Sequence, residues 1–568
     1  MNTATPAADL VLRGGDILTF ADWMPGAAVE PVRALAVRDG LVAAVGPDAE
    51  ALIGPGTEVV ELAGRTVVPG LNDTHLHLVC YAMARFGLRD ASPAAIGDWA
   101  GLSAVLTAEA VGADGWIRAQ GWDAEQLGRP GTAADIDAAL AANGIPGTPT
   151  VLFDRTGHQL LAGTAALRAL GITAATADPP GGVIVRDAAG DPTGVFSDAA
   201  TALVLGAMPP VPADALVDVL RQAQRELNAL GFTSVTDPGI GTGSATLFDG
   251  SASPLALDAI RMLERAGDLT LRTTVLLTFA GTGGESVDSV RAGLAGPLPH
   301  ALDGCDPHWA RIAGVKVFAD GIQRSGTAWH HEPYGPEHRT GQLAVAGGSD
   351  AERVTTLHGI LKEIGDAGMQ TGVHATGDAS ADAVVAGLQA LDPAARAALP
   401  YLIHGDFLPA DGMPGLTAAT IGWTANPVIS RLVCGIGHEL LGAERQAVRQ
   451  PLGSALRAGV TVTLSSDAPV VDPDWRQAII VAVERSQTDG IPHPDSPEAV
   501  STTDALAMMT VTAGELDGSA ARKGRLAPGF AADLVVLGGR WPDAAHVRDL
   551  EHLRTDLTVV GGRIVHRR

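Results

Sequence analysis

The run Val67-Val68-Pro69-Gly70-Leu71-Asn72-Asp73-Thr74-His75-Leu76-His77 closes an apolar stretch with a His-x-His pair. Read as a strand it alternates its side chains, so His75 and His77 point the same way. Two imidazoles about 7 Å apart on one strand face can converge on a metal ion. Further ligand-type residues stand at the ends of later apolar runs: Lys316 in 312–318, His374 ending 370–374, His404 ending 401–404 and Asp467 ending 460–467. Each has a plain structural reading of its own. A strand-end His can be a polar cap, Lys316 a buried salt-bridge partner, and Asp467 the cap of a turn. Six such residues at equivalent positions point instead to one metal centre.

Positioning them requires a particular set of elements. Apolar, β-like runs occur at 66–77, 232–237, 271–278, 312–318, 370–374, 401–404, 420–425 and 460–467. Helical patterns precede several of them, at 215–229, 353–367 and 451–458. Eight such units predict an α/β fold, a (β/α)8 TIM-like barrel, whose strand ends converge on one face. The interval 80–230 is too long for one crossover and predicts an insertion after barrel strand 1. An insertion there would sit over the active face as a lid or substrate wall.

The two ends of the chain read differently. Residues 9–19 read as strand, turn, strand, and Asp39-Gly40 as a hairpin turn between apolar runs. Runs at 532–537 and 556–565, the second around Gly561-Gly562, match them in character. Small hairpins are marginal alone. The expected division is a composite β-sandwich domain from 1–68 and 520–568, a barrel over 69–519, and an inserted region at 80–230.

Composition bounds the function. A net charge of −25 argues against nucleic acid as a partner. Cys80, Cys305 and Cys434 are odd in number and widely spaced. A disulfide framework is not expected, and a reducing cytoplasm fits. Cys80 reads as a small buried apolar residue. No signal peptide and no membrane helix are read from the sequence, which leaves no membrane partner.

With these residues in place the chain resembles the amidohydrolase superfamily, and within it the amidohydrolase-3 group that includes N-substituted formamide deformylases. The resemblance is carried by Pro69 to His77, by Val315-Lys316-Val317-Phe318-Ala319-Asp320-Gly321, and by His374-Ala375-Thr376-Gly377-Asp378. His404-Gly405-Asp406-Phe407, Ser466-Asp467-Ala468-Pro469 and the segment 524–537 continue it. It implies two divalent metal ions, zinc by family habit, and a Lys316 carboxylated by carbon dioxide as bridging ligand. One ion would take His75, His77 and Asp467, and the other His374 and His404. An unmodified Lys316 with a single ion is the alternative, and manganese, cobalt or iron also suit these ligands.

The implied reaction is hydrolysis of a C–N amide bond of a small molecule, an N-substituted formamide or another N-acyl compound. Asp467 would accept the proton of the attacking water and return it to the leaving amine. A deaminase or a lactone/ester hydrolase on the same centre is the alternative within enzymes. A non-enzymatic binding protein on the same fold is the alternative outside them. Asp320, Arg324 and Asp378 are candidate substrate contacts near the barrel mouth, and Asp378 equally reads as a turn cap. Arg155 and His158 are candidates from the inserted region. His330, His331, His546, His552 and His566 read as surface loop residues. A homodimer is a family expectation only.

Overall fold

The computed structural model describes residues 6–155, 159–179, 182–198 and 200–568. It divides into two compact units: residues 1–77, 224–238 and 264–568 form the first, and residues 78–223 and 239–263 the second.

The first unit holds eight sequential parallel strands: β1 (Leu71–Asp73), β2 (Phe232–Ile240), β3 (Arg272–Leu277), β4 (Ala310–Phe318), β5 (Gln370–Ala375), β6 (Tyr401–His404), β7 (Gly422–Ala425) and β8 (Val462–Leu464). Most of their residues are buried on both faces, as strands enclosed by helices must be. These strands match the eight apolar runs closely. The exception is the first run, which is two strands. Thr66–Pro69 belongs to the terminal sheet, and only Leu71–Asp73 joins the barrel.

No strand ladder joins β1 to β8, so the barrel is nearly closed. The seam is held by other means. Thr74 Oγ1 lies 2.7 Å from Thr463 Oγ1 and 3.0 Å from Thr424 Oγ1. Ser466 N donates to the Asp73 carboxylate at 3.2 Å. Past the strands, Asp467 N donates to His75 O at 2.7 Å and His77 N to Ala468 O at 2.9 Å.

Strands from both ends of the chain share one further sheet. Its order is Arg563–Arg567, Thr555–Val560, Leu534–Leu537, Thr66–Pro69, Leu10–Ile17, Val32–Arg38 and Leu41–Val45, with Glu58–Glu61 paired to Leu10–Ile17. Asp39 and Gly40 both take positive φ (51° and 77°), as a two-residue hairpin turn of the primed type requires. The 9–19 segment is a correction. It is one strand with an irregularity between Arg13 and Ile17, where two extra residues are absorbed as a bulge around Gly14 at φ 76° instead of turning the chain back.

The second unit has its own sheet, in the order Gly182–Arg186, Pro192–Asp198, Gln159–Ala162, Thr150–Asp154, Ile117–Trp122, Arg89–Asp90. Both faces are apolar. Ile117, Ala119, Leu152 and Leu161 pack with Trp99 and Trp122, while Val151, Phe153, Leu160 and Phe196 form the opposite core. Among the described residues no helix is long and apolar enough to cross a membrane.

Candidate metal centre

His75 and His77 lie beyond the end of β1, not on it. The strand-face argument for their common direction is therefore replaced by main-chain bonds. His75 N donates to Asp73 Oδ1 at 3.1 Å, and Leu76 N donates to Thr236 O at 3.0 Å. With the two seam bonds to 467–468, these set both imidazoles beside Asp467. Asp467 Oδ1 is 3.0 Å from His75 Nε2 and 3.4 Å from His77 Nε2.

The other two imidazoles come from β5 and β6. His374 packs edge-on to His404 with ring centroids 4.6 Å apart, and His404 lies 5.5 Å from His75. His374 Nε2 donates to Gly321 O at 3.1 Å, which leaves Nδ1 as its free lone pair. His404 Nδ1 donates to Asn426 Oδ1 at 2.8 Å, which leaves Nε2. The Asn426 amide is itself oriented, since Nδ2 donates to Ser465 O and Oγ. Asn426 follows β7, a strand for which the sequence offered no site residue; its position at a barrel strand end was the available signal.

All six of His75, His77, Lys316, His374, His404 and Asp467 are buried. Burial pushes the His75, His374 and His404 imidazoles below their ordinary range, so they are neutral and able to ligate. Burial alone would raise the Asp467 carboxyl. The hydrogen bonds from His75 and His77 outweigh it and hold Asp467 well below its ordinary range. Burial pulls the Lys316 ammonium down to about 7, against the opposing charge of Asp467. Its Nζ sits 4.7 Å from the centre of the Phe318 ring.

Two of these residues have unusual backbones. His404 (φ 67°) and Asp467 (φ 63°) occupy the left-handed region, which costs a residue with a side chain about 1 kcal/mol or more.

The donor set fits a divalent cation. Ligand atoms of His75, His404 and Asp467 lie within 4.8 Å of one another. His404, assigned by resemblance to a second ion, thus also stands with His75 and Asp467. Among the described residues His75 Nδ1 is buried without a hydrogen-bond partner, an uncommon state for an imidazole nitrogen. Neutral imidazoles around a carboxylate are the ligands zinc-type ions take.

The candidate substrate contacts fare unevenly. Asp320 is fully enclosed and its carboxylate serves the chain itself. It accepts from Thr376 N (3.0 Å), Trp329 N (2.9 Å), Gly377 N (2.9 Å) and Ser380 Oγ (2.7 Å). This staples the loop after β4 to the turn after β5 and fixes Gly321 O, the acceptor for His374. Four internal donors leave no room for the substrate contact expected of it.

Asp378 opens the helix Asp378–Gln389, half-buried, with Oδ1 3.2 Å from His330 Nδ1. Burial would raise its carboxyl, but the His330 hydrogen bond and backbone donors hold it at about 2. His330 is accordingly not a surface residue. It is buried against Tyr334 and Phe407, because Asp378 satisfies its Nδ1. His331 and His546 are exposed as expected. Arg324 is exposed on the turn Gln323–Ser325. Arg155, in the second unit, is exposed and pairs with Asp123 at 3.1 Å. His158 lies outside the described residues.

A nearly closed eight-stranded parallel barrel with buried His, Asp and Lys at its strand ends is the architecture of a metal-dependent hydrolase. Residues 58–566 match the amidohydrolase family, and the chain belongs to it. Among its relatives, YtcJ of Bacillus subtilis (strain 168) is 27% identical over 542 residues, covering 94% of this chain and 96% of that protein. The N-substituted formamide deformylase of Arthrobacter pascens is 26% identical over 543 residues, covering 92% and 93%. An uncharacterized metal-dependent hydrolase from Pyrococcus horikoshii OT3 shares the fold with a TM-score of 0.73 at 22% identity, covering 94% of this chain and 99% of the other.

Proposed function

We propose that this chain hydrolyses the C–N amide bond of a small molecule, an N-substituted formamide or another N-acyl compound. The observation that carries the reading is Asp467, a buried carboxylate kept ionised where His75, His77 and His404 converge. The relative from Arthrobacter pascens, which bears the deformylase name, supports the substrate class. In this reading 69–519 is the catalytic barrel, and 1–68 with 520–568 the accompanying β domain.

The six residues would hold two divalent ions, zinc by preference, with Lys316 between them. Bound there, such ions acidify water and polarise a carbonyl. Lys316 suits the bridging role because burial brings its amine to about 7. Unprotonated Nζ can add to carbon dioxide, forming an N–C bond and releasing a proton, and the resulting carbamate is anionic with two donor oxygens. A site for one ion has no need of this lysine, which favours the amide reading over a deaminase.

Asp467 is the proton carrier. Water adds to the amide carbon and gives a proton to Asp467 Oδ. The C–N bond then breaks as Asp467 returns that proton to the departing nitrogen. His374 and His404 are held in one tautomer by Gly321 O and Asn426, so their lone pairs stay directed.

The test is a panel of N-substituted formamides and N-acyl amines against the purified chain, with metal content measured by elemental analysis. Turnover of at least one amide with metal bound is expected. An Asp467→Asn variant should retain metal and lose at least about a thousandfold in kcat. Wild-type-like turnover in that variant, or a metal-loaded chain inert to every amide, would sink the reading.

A further inference from the structure

Apart from the metal centre, the first unit holds a cavity of about 600 Å3, lined by none of the six residues above. Its wall is built from the helices Cys434–Leu441 and Ala443–Ala447 and the chain after Trp475–Glu484. Arg485, the residue that follows that last helix, lines it.

Arg485 is unusual in three respects. It adopts φ 55°, the left-handed region that favours glycine, although it carries a long side chain. Its guanidinium is buried, yet among the described residues no carboxylate lies within 4.0 Å of it. Its Nη atoms donate only to main-chain oxygens, those of Gln450 and Arg449. Burial accordingly draws it down to about 10, with only the more distant charge of Glu498 opposing. A buried cation without a counter-charge is costly, and such groups are ordinarily paired.

The rest of the wall supplies two hydroxyl donors suited to an anion, those of Thr488 and Ser496. Thr488 and Ser496 line the cavity, as do His438 and His493. His438 Nε2 donates to Thr488 O at 3.0 Å, so in the neutral ring Nδ1 is an acceptor and this residue shapes the wall without serving the anion. Two carboxylates are also present. Asp489 is bound by His493 Nε2 at 2.7 Å, and Asp495 is exposed to water, where its charge is screened. Arg485 is thus the one buried charge in this wall that has no carboxylate partner among the described residues.

We propose that this cavity binds a small molecule through an oxyanion group, a carboxylate or a phosphate, with Arg485 as the charge partner. The volume exceeds that of the oxyanion alone, so the ligand carries a further body against Ala443, Ala447 and Pro492. The site is independent of the reaction at the metal centre.

The test is titration calorimetry on the full-length, metal-loaded chain at fixed ionic strength, with inorganic phosphate in one arm and succinate in the other. Saturable binding in at least one arm is expected, and the arm that binds distinguishes phosphate from carboxylate. Arg485→Gln removes the charge while keeping a polar amide and should weaken binding at least about tenfold. Asp467→Asn should leave it unchanged, which separates this site from the metal centre. Absence of saturable binding in both arms, equal affinity in Arg485→Gln, or loss of binding in Asp467→Asn would each overturn the proposal. Should Arg485→Gln fail to fold, the double variant Thr488→Val/Ser496→Ala carries the test. A severalfold loss supports the site, and unchanged affinity overturns it.

Discussion

On one side of the metal centre, His374 and His404 each give a ring nitrogen to a fixed acceptor, Gly321 O and Asn426 Oδ1. On the other side, His75 and His77 aim Nε2 at Asp467 and are placed by main-chain bonds to 467–468. The first pair is oriented by side-chain and loop chemistry that a single substitution can remove. The second is oriented by closure of the barrel, which is spread over many bonds. Asp320 extends the contrast. It places His374 indirectly by gathering four donors, whereas among the described residues the His404 ring is oriented by one amide, that of Asn426.

The largest effect expected is that of Asp467→Asn, where both sides meet. A loss of about a thousandfold or more in kcat with metal retained fits one shared proton carrier. A modest loss would place the proton chemistry on one side only.

A test of what burial does to a carboxyl comes from Glu285. Among the described residues its Oε1 is buried without a hydrogen-bond partner, and burial raises its carboxyl to about 8, as burial raises Asp320 to about 7 despite its four donors. Below about pH 4.5 both folded and unfolded chains hold this proton, so Glu285 contributes no pH dependence. From there to about 8 the unfolded chain releases it while the folded chain keeps it, so stability falls as pH rises. The loss is complete above 8 and reaches at most about 5 kcal/mol. Glu285→Gln should flatten the dependence of denaturant stability on pH over this window. An unchanged profile would show that the carboxyl is solvated.

Asn426→Ala removes the acceptor that orients His404. A ten- to hundredfold loss in metal affinity or turnover is expected, as for other partners of metal-binding histidines. The loss of affinity should come with a stability loss of about 1–3 kcal/mol, because the buried His404 Nδ1–H and Ser465 O lose their partner. The smallest effect is expected at the seam. Thr463→Val deletes one hydroxyl contact to Thr74 and should cost about 1 kcal/mol in stability. If it also lowered metal affinity tenfold, closure of the barrel would be less distributed than the bond pattern suggests.

Much of the fold was legible because barrel strands buried on both faces leave unbroken apolar runs, and eight of them appear in order. The first was misjudged at its boundary. Pro69 and Gly70 separate a strand of the terminal sheet from β1, and apolarity is continuous across them. His75 and His77 stand together beside Asp467, but the strand-face reasoning does not explain it, since neither is on a strand. Asn426 escaped notice because an amide at a strand end has no distinctive spacing. Asp320 was visible as a carboxylate near Lys316, but whether it faces substrate or its own loop depends on how 321–330 folds back, which no periodicity encodes. The buried His330 was hidden for the same reason.

The left-handed backbones at His404 and Asp467 set the two residues apart in a sequence library. At these two sites, selection for heat resistance and selection for turnover point in opposite directions. Glycine relieves the backbone and enriches under the first, while under the second only the native side chain survives. Positions where the two screens disagree most would mark the centre without any knowledge of its substrate.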